Sequence, residues 1–126
     1  MDKMDVLLIK PHCYPKRVQI SGELSELQAI VGGLIQAIYP YEDPVALILN
    51  DEGKLMNLEP NRALWDEDGQ MVDYIAGDFL VVGMSDENFG SLPPELMDKY
   101  EQLFHWPEVI FPVGNGIFVV LKTGEE

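Results

Sequence analysis

Between Val31 and Arg62 the chain reads V-G-G-L-I-Q-A-I-Y-P-Y-E-D-P-V-A-L-I-L-N-D-E-G-K-L-M-N-L-E-P-N-R. Two adjacent glycines, three prolines and an Asp-Glu-Gly turn cut this stretch into two short apolar runs. Glycine adopts the left-handed backbone that ends a helix, and proline cannot donate to a central β-ladder. A segment punctuated this often can fold only as short elements joined by tight turns. It matches none of the phosphate-loop, dinucleotide-binding or metalloprotease spacings.

Val6 to Ile9 is a β-branched and leucine run ending near Pro11. Arg17 to Ile20 alternates and stops at Ser21-Gly22, so the two are expected to form a hairpin. Leu24-Ser25-x-x-Gln28-Ala29 reads as a capping box, with Ser25 as cap and Leu24 stapled onto Ala29. Leu27, Ile30, Val31 and Leu34 follow helical spacing, and the helix is expected to end at Gly32-Gly33. Leu34 to Tyr39 then reads as a strand, and Val45 to Leu49 as a central one. The Asn50-Asp51-Glu52-Gly53 turn is expected to return the chain into Lys54 to Leu58 as a hairpin partner.

Pro60 to Leu64 suits a short helical turn, and Asp66 to Gly69 a second solvated turn. Ile75 to Met84 reads as one interior strand. Pro93 and Pro94 open a second helix whose apolar face is Leu96, Met97, Tyr100, Leu103 and Phe104, with Pro107 beyond its end. Val109 to Phe111 and Ile117 to Leu121 flank Gly114-Asn115-Gly116 as a final hairpin. The expected fold is α+β: a single domain over residues 1–126, mostly an antiparallel sheet of hairpins with two main helices. Its predicted core is one cluster of Val6, Leu8, Leu27, Ile30, Val31, Val45, Leu47, Leu49, Phe79, Val81, Leu96, Tyr100 and Phe104.

Asp and Glu number 22 against 8 Lys and Arg, a net charge of −14. Such a chain lacks the cations that displace counterions from nucleic acid, and it repels anionic membrane surfaces. Two uses of the charge remain: solubility, or docking on a basic partner as a DNA mimic does. The single Cys13 excludes an internal disulfide and any multi-cysteine metal site. The start Met1-Asp2-Lys3-Met4-Asp5 lacks the pattern of a leader peptide, and no run approaches the ~20 apolar residues of a spanning helix. A cytoplasmic location is expected.

The segments G-G-L-I-Q-A-I-Y-P-Y-E-D-P-V-A-L-I-L-N-D-E-G-K-L, P-N-R-A-L and I-A-G-D-F-L-V-V-G resemble the domain of unknown function 3846 family, over about Val6 to Tyr100. The resemblance implies a setting in Firmicute mobile elements and phages, and it brings no established activity. Gln36 departs from the family pattern, where an acidic residue is frequent, so a catalytic carboxylate at that place would be absent here.

Asn61-Arg62 is the leading candidate for ligand contact, because Arg62 is the last cation before Lys99 and a guanidinium grips anions with two aligned bonds. A structural role competes, in which Arg62 pairs with Asp66 or Glu59 and Asn61 caps the turn. Tyr39, Tyr41, Trp65 and Tyr74 lie near the turns and could stack on a planar ligand, or could simply pack. Asp66-x-Asp68-Gly69 lacks the remaining ligands of a calcium loop, and nothing orients Cys13 with His12 or His105 as a nucleophile. Adjacent acids such as Glu42-Asp43 and Asp86-Glu87 do not supply the contrasting environments that acid–base catalysis needs. The expected function is therefore a non-enzymatic binding module without cofactor or metal. Asn61, Arg62, Tyr39, Tyr41 and Trp65 would line its site for a small, nucleotide-like signal, in a counter-defence role. The alternative is an acidic, DNA-mimic-type protein that covers a basic host surface. Direct nucleic-acid or membrane binding is not expected, and a homo-oligomer is left open.

Overall fold

A computed structural model describes residues 3–86 and 88–123. The elements are β1 (Met4–Ile9), β2 (Lys16–Ile20), α1 (Leu24–Val31), β3 (Ile35–Ile38), β4 (Val45–Asn50), β5 (Pro60–Trp65), β6 (Met71–Ala76), β7 (Phe79–Ser85), β8 (Asn88–Gly90), α2 (Pro94–Leu103), β9 (Glu108–Gly114) and β10 (Ile117–Lys122). The main sheet runs β2-β1-β7-β4-β3, with β8 on the end of β7. Every pairing is antiparallel. Two further antiparallel pairs, β5-β6 and β9-β10, lie beside one another, with β5 against β9.

The continuous apolar runs of β1, β4 and β7 follow from burial on both faces. Val6, Ala46, Ile48, Leu80 and Val82 point to one side, where Ile20 of β2 joins them and Leu27 of α1 covers them. Leu7, Ile9, Val45, Leu47, Phe79 and Val81 point to the other, against Met97, Tyr100 and Phe104 and against Leu64 and Ile75 of the β5-β6 pair. The single core expected from the sequence is therefore two cores split by a sheet. Period-two geometry sends neighbouring residues to opposite faces, and one apolar list cannot reveal that division.

Several local expectations hold. β1 and β2 pair, α1 ends at Gly32, and β9-β10 is a hairpin. Gly32 has φ 81°, and the Gly32 and Gly33 amides both donate to the Gln28 carbonyl, closing the helix as a left-handed cap.

Others are corrected. Ser25 does not cap α1; Glu23 is the N-cap and its side chain makes no capping bond. Instead Glu26 reaches back to accept from the Ser21 amide at 2.5 Å, and Ser21 Oγ accepts from the Glu23 amide. Residues 51–57 are turns rather than a strand, because β3 and β7 already occupy both edges of β4. Pro60–Trp65 is β5 and not a helical turn; the ladder offered by β6 overrides the helix-start reading of Pro60. Ile75 to Met84 is not one strand either. The chain swivels at Gly77, φ 89°, leaving β6 in one sheet and starting β7 in another.

Candidate functional site

Asn61 and Arg62 sit at a register shift in β5, and both are fully buried. The Asn61 amide donates to the carbonyls of Ile9, at 3.0 Å, and Gly77, at 2.8 Å. Its Oδ1 accepts from Arg62 Nη1 at 2.9 Å. Arg62 Nε and Nη2 both donate to the Phe104 carbonyl, and Nη2 also reaches the Cys13 carbonyl at 2.7 Å. A longer contact runs from Nη1 to the Asn61 carbonyl. These five contacts match the five N–H groups of a guanidinium. The pair staples β1, the Gly77 swivel, the 13–14 loop and the end of α2. It lines none of the clefts described below. Arg62 pairs with neither Asp66 nor Glu59, and its pKa is lowered by burial.

The predicted aromatics divide. Tyr39 is 59% exposed and stands apart from the clefts. Tyr74 packs on Phe118 and lies under Lys54. Tyr41 and Trp65, however, come together across a cleft of about 520 Å³. The β3-β4 loop supplies Pro40, Tyr41, Glu42 and Asp43, the end of β5 and its turn supply Trp65, Asp66 and Glu67, and α2 supplies Lys99, Tyr100 and Leu103. The result is an aromatic floor under an acidic rim. Tyr41 rests on Tyr100 with ring centroids 5.0 Å apart, and Trp65 keeps 47% of its surface exposed. The helical face expected of Leu103 is turned outward into this cleft.

Asp43 Oδ2 accepts from Lys99 Nζ at 2.6 Å and from the Tyr100 hydroxyl at 2.7 Å. Lys99 first, then Tyr100, holds the Asp43 carboxyl below its usual range. Burial and the Asp43 carboxylate raise the Tyr100 hydroxyl in turn. Tyr41 is pushed up to about 12 by burial, with a smaller push from Glu108.

Beneath the cleft lies a recess of about 110 Å³, which shares Tyr41, Trp65 and Leu103 with it and adds Ala63, Phe104, Glu108 and Lys122. Glu108 is only 6% exposed, and burial raises its pKa. The sequence reading passed over Glu108, Lys99 and Tyr100 as site residues. The signal for Glu108 was present: it is the one acid inside the apolar strand E-V-I-F-P-V-G. Cys13 is exposed and His12 Nε2 lies 3.2 Å from Glu59, in keeping with the reading that no histidine orients this thiol. The Asp66 turn is a closed Asx turn, its Oδ1 accepting from the Asp68 and Gln70 amides.

No helix among the described residues is long and apolar enough to cross a membrane. No curated protein and no solved structure matches the chain. A family profile does match, over residues 4–105, from the start of β1 to just past α2, and its description is a domain of unknown function (DUF3846). The match covers the resemblance noted from Val6 to Tyr100, and the chain belongs to this family.

Proposed function

We propose that the protein is a non-enzymatic binding module whose acidic, aromatic-floored cleft docks a basic segment of a partner protein. The observation that carries this reading is the lining of the cleft: Glu42, Asp43, Asp66 and Glu67 stand around Tyr41, Trp65 and Tyr100. Its one cation, Lys99, is already paired with Asp43. Carboxylates draw cations to the rim, and exposed aromatic faces hold them by cation–π attraction. A nucleotide-like signal would need a free cation facing the cleft, and the guanidinium of Arg62 is spent on internal carbonyls. That favours the partner-docking reading over capture of an anionic small molecule. In a phage or mobile element, the setting that the family resemblance implies, such a module would act in the cytoplasm by covering a basic host surface.

The test is a fluorescence titration with an arginine- and lysine-rich peptide at low and moderate salt. A rim variant, Glu42→Gln with Asp66→Asn and Glu67→Gln, should weaken binding at least tenfold and flatten its salt dependence. A variant with three acids neutralised outside the cleft, Glu23→Gln, Asp51→Asn and Glu95→Gln, should bind nearly as the parent does. Equal losses in both would show that only net charge matters and would overturn the reading.

A further inference from the structure

Glu108 is a buried carboxylate with a spare oxygen. Its Oε1 accepts from the Ala63 amide at 2.8 Å. No other described residue donates a hydrogen bond to it. No fully enclosed side-chain oxygen or nitrogen lacks a partner among the described residues, so the spare Oε2 keeps some access to solvent, and the recess is the opening that Glu108 lines. The nearby cations do not neutralise it. Arg62 acts on it only through space and directs its N–H groups elsewhere, while Lys122, its cross-strand neighbour, makes no ion pair with it.

A carboxylate kept from water without a full set of donors is costly, and a cation able to reach it recovers that cost in a low-dielectric setting. The recess is about 110 Å³, far below the ~300 Å³ or more of a pocket for a drug-sized ligand, and it opens beside two aromatic rings. These dimensions suit the head of one long side chain. Between the two candidates, a guanidinium is planar, more weakly hydrated than an ammonium, and stacks on aromatic faces. Resting on the docking reading given above, we infer that the recess is a subsite for a single arginine side chain of the partner, its guanidinium bonded to Glu108 Oε2 and flanked by Tyr41 and Trp65.

The recess draws on both sides of the family match. Tyr41, Trp65 and Leu103 lie inside the span matched by the family profile, whereas Glu108 and Lys122 come from the hairpin beyond it.

The experiment uses the full chain and three capped peptides of alternating glycine and serine, carrying three arginines, three lysines or three citrullines. Citrulline keeps the shape of arginine and removes its charge. Calorimetry should rank arginine over lysine by at least threefold, with no measurable citrulline binding. Glu108→Gln retains an oxygen for the Ala63 amide and should weaken the arginine peptide at least tenfold, bringing it level with the lysine peptide. Trp65→Ala, at a half-exposed position, should lose the arginine preference without unfolding the protein, which keeps the test alive should Glu108→Gln fold poorly. If arginine peptide binds the parent, Glu108→Gln and Trp65→Ala within threefold of one another, the subsite is wrong while the rim reading stands. If no cationic peptide binds the parent, both fall.

Discussion

Arg62 holds the end of α2 through one atom, the carbonyl oxygen of Phe104, which accepts from Nε at 3.1 Å and from Nη2 at 3.0 Å. A cation at the negative end of a helix is favourable, and here it also fixes where α2 meets the β5-β6 pair. Arg62→Lys keeps the charge but loses the planar fork, leaving the Cys13 carbonyl or Asn61 Oδ1 without its donor. We expect a loss of about 2–4 kcal/mol in urea unfolding with unchanged m-value. A loss below ~1 kcal/mol would show that the staple is dispensable.

Two of the positive-φ glycines, Gly32 and Gly77, should respond differently to alanine. A Cβ on Gly32 meets open space, so Gly32→Ala carries only the left-handed backbone penalty, about 1–2 kcal/mol. A Cβ on Gly77 would come within 2.7 Å of Leu58 Cδ1, so Gly77→Ala adds displacement of that side chain and should cost more. Thermal unfolding of the two variants checks the order. A neutral Gly32→Ala would contradict the helix cap.

Because the sheet separates two cores, Leu27→Ala beneath α1 and Phe104→Ala beneath α2 disturb clusters with no shared member. Each should destabilise by about 2–5 kcal/mol. The double variant should be additive within about 0.5 kcal/mol. Strong coupling between them would mean the faces communicate through the sheet.

Asp43 offers a pH test. Its folded pKa lies below the ordinary value because Lys99 and Tyr100 stabilise the carboxylate. A depressed acid contributes stability above its unfolded value, about 3.9, and loses it as pH falls through the folded one. The stability gap between the parent and Asp43→Asn should therefore narrow as pH drops below about 4. A gap independent of pH would remove Asp43 from the account.

Glu108, shifted the other way from Asp43, sets a pH dependence for binding at higher pH. Burial raises its pKa; Arg62 from β5 and Lys122 from β10 partly oppose that, and Tyr41 from the β3-β4 loop lines the same recess. Only the ionised form pairs with a guanidinium. Affinity for the arginine peptide should rise as pH climbs through this elevated range, with protons released on binding. In Glu108→Gln that rise should be absent, and calorimetry in buffers of different ionisation heat measures the protons directly.

Gly32-Gly33, the strand runs at Val6 and Val45, the helix opened by Pro93-Pro94 and the closing hairpin were all legible from local chemistry. Backbone freedom at glycine, the missing N–H of proline and the period of apolar residues act within a few positions, so they are written in the chain itself. Net charge is likewise a property of the sequence, and so is family membership.

Tertiary structure decided everything that depends on which segment meets which. Pro60–Trp65 became a strand because β6 offered it a ladder, and residues 51–57 remained turns because β4 had no edge left. The same rule governs the side chains. Arg62 looked like a free cation among acids, yet packing gave its five N–H groups internal oxygen partners. Glu108 looked like one acid among many, and burial beside a single amide left it half satisfied. Hydrogen-bond supply and access to water are set by neighbours distant in sequence, and they determine whether a charged group is structure or site.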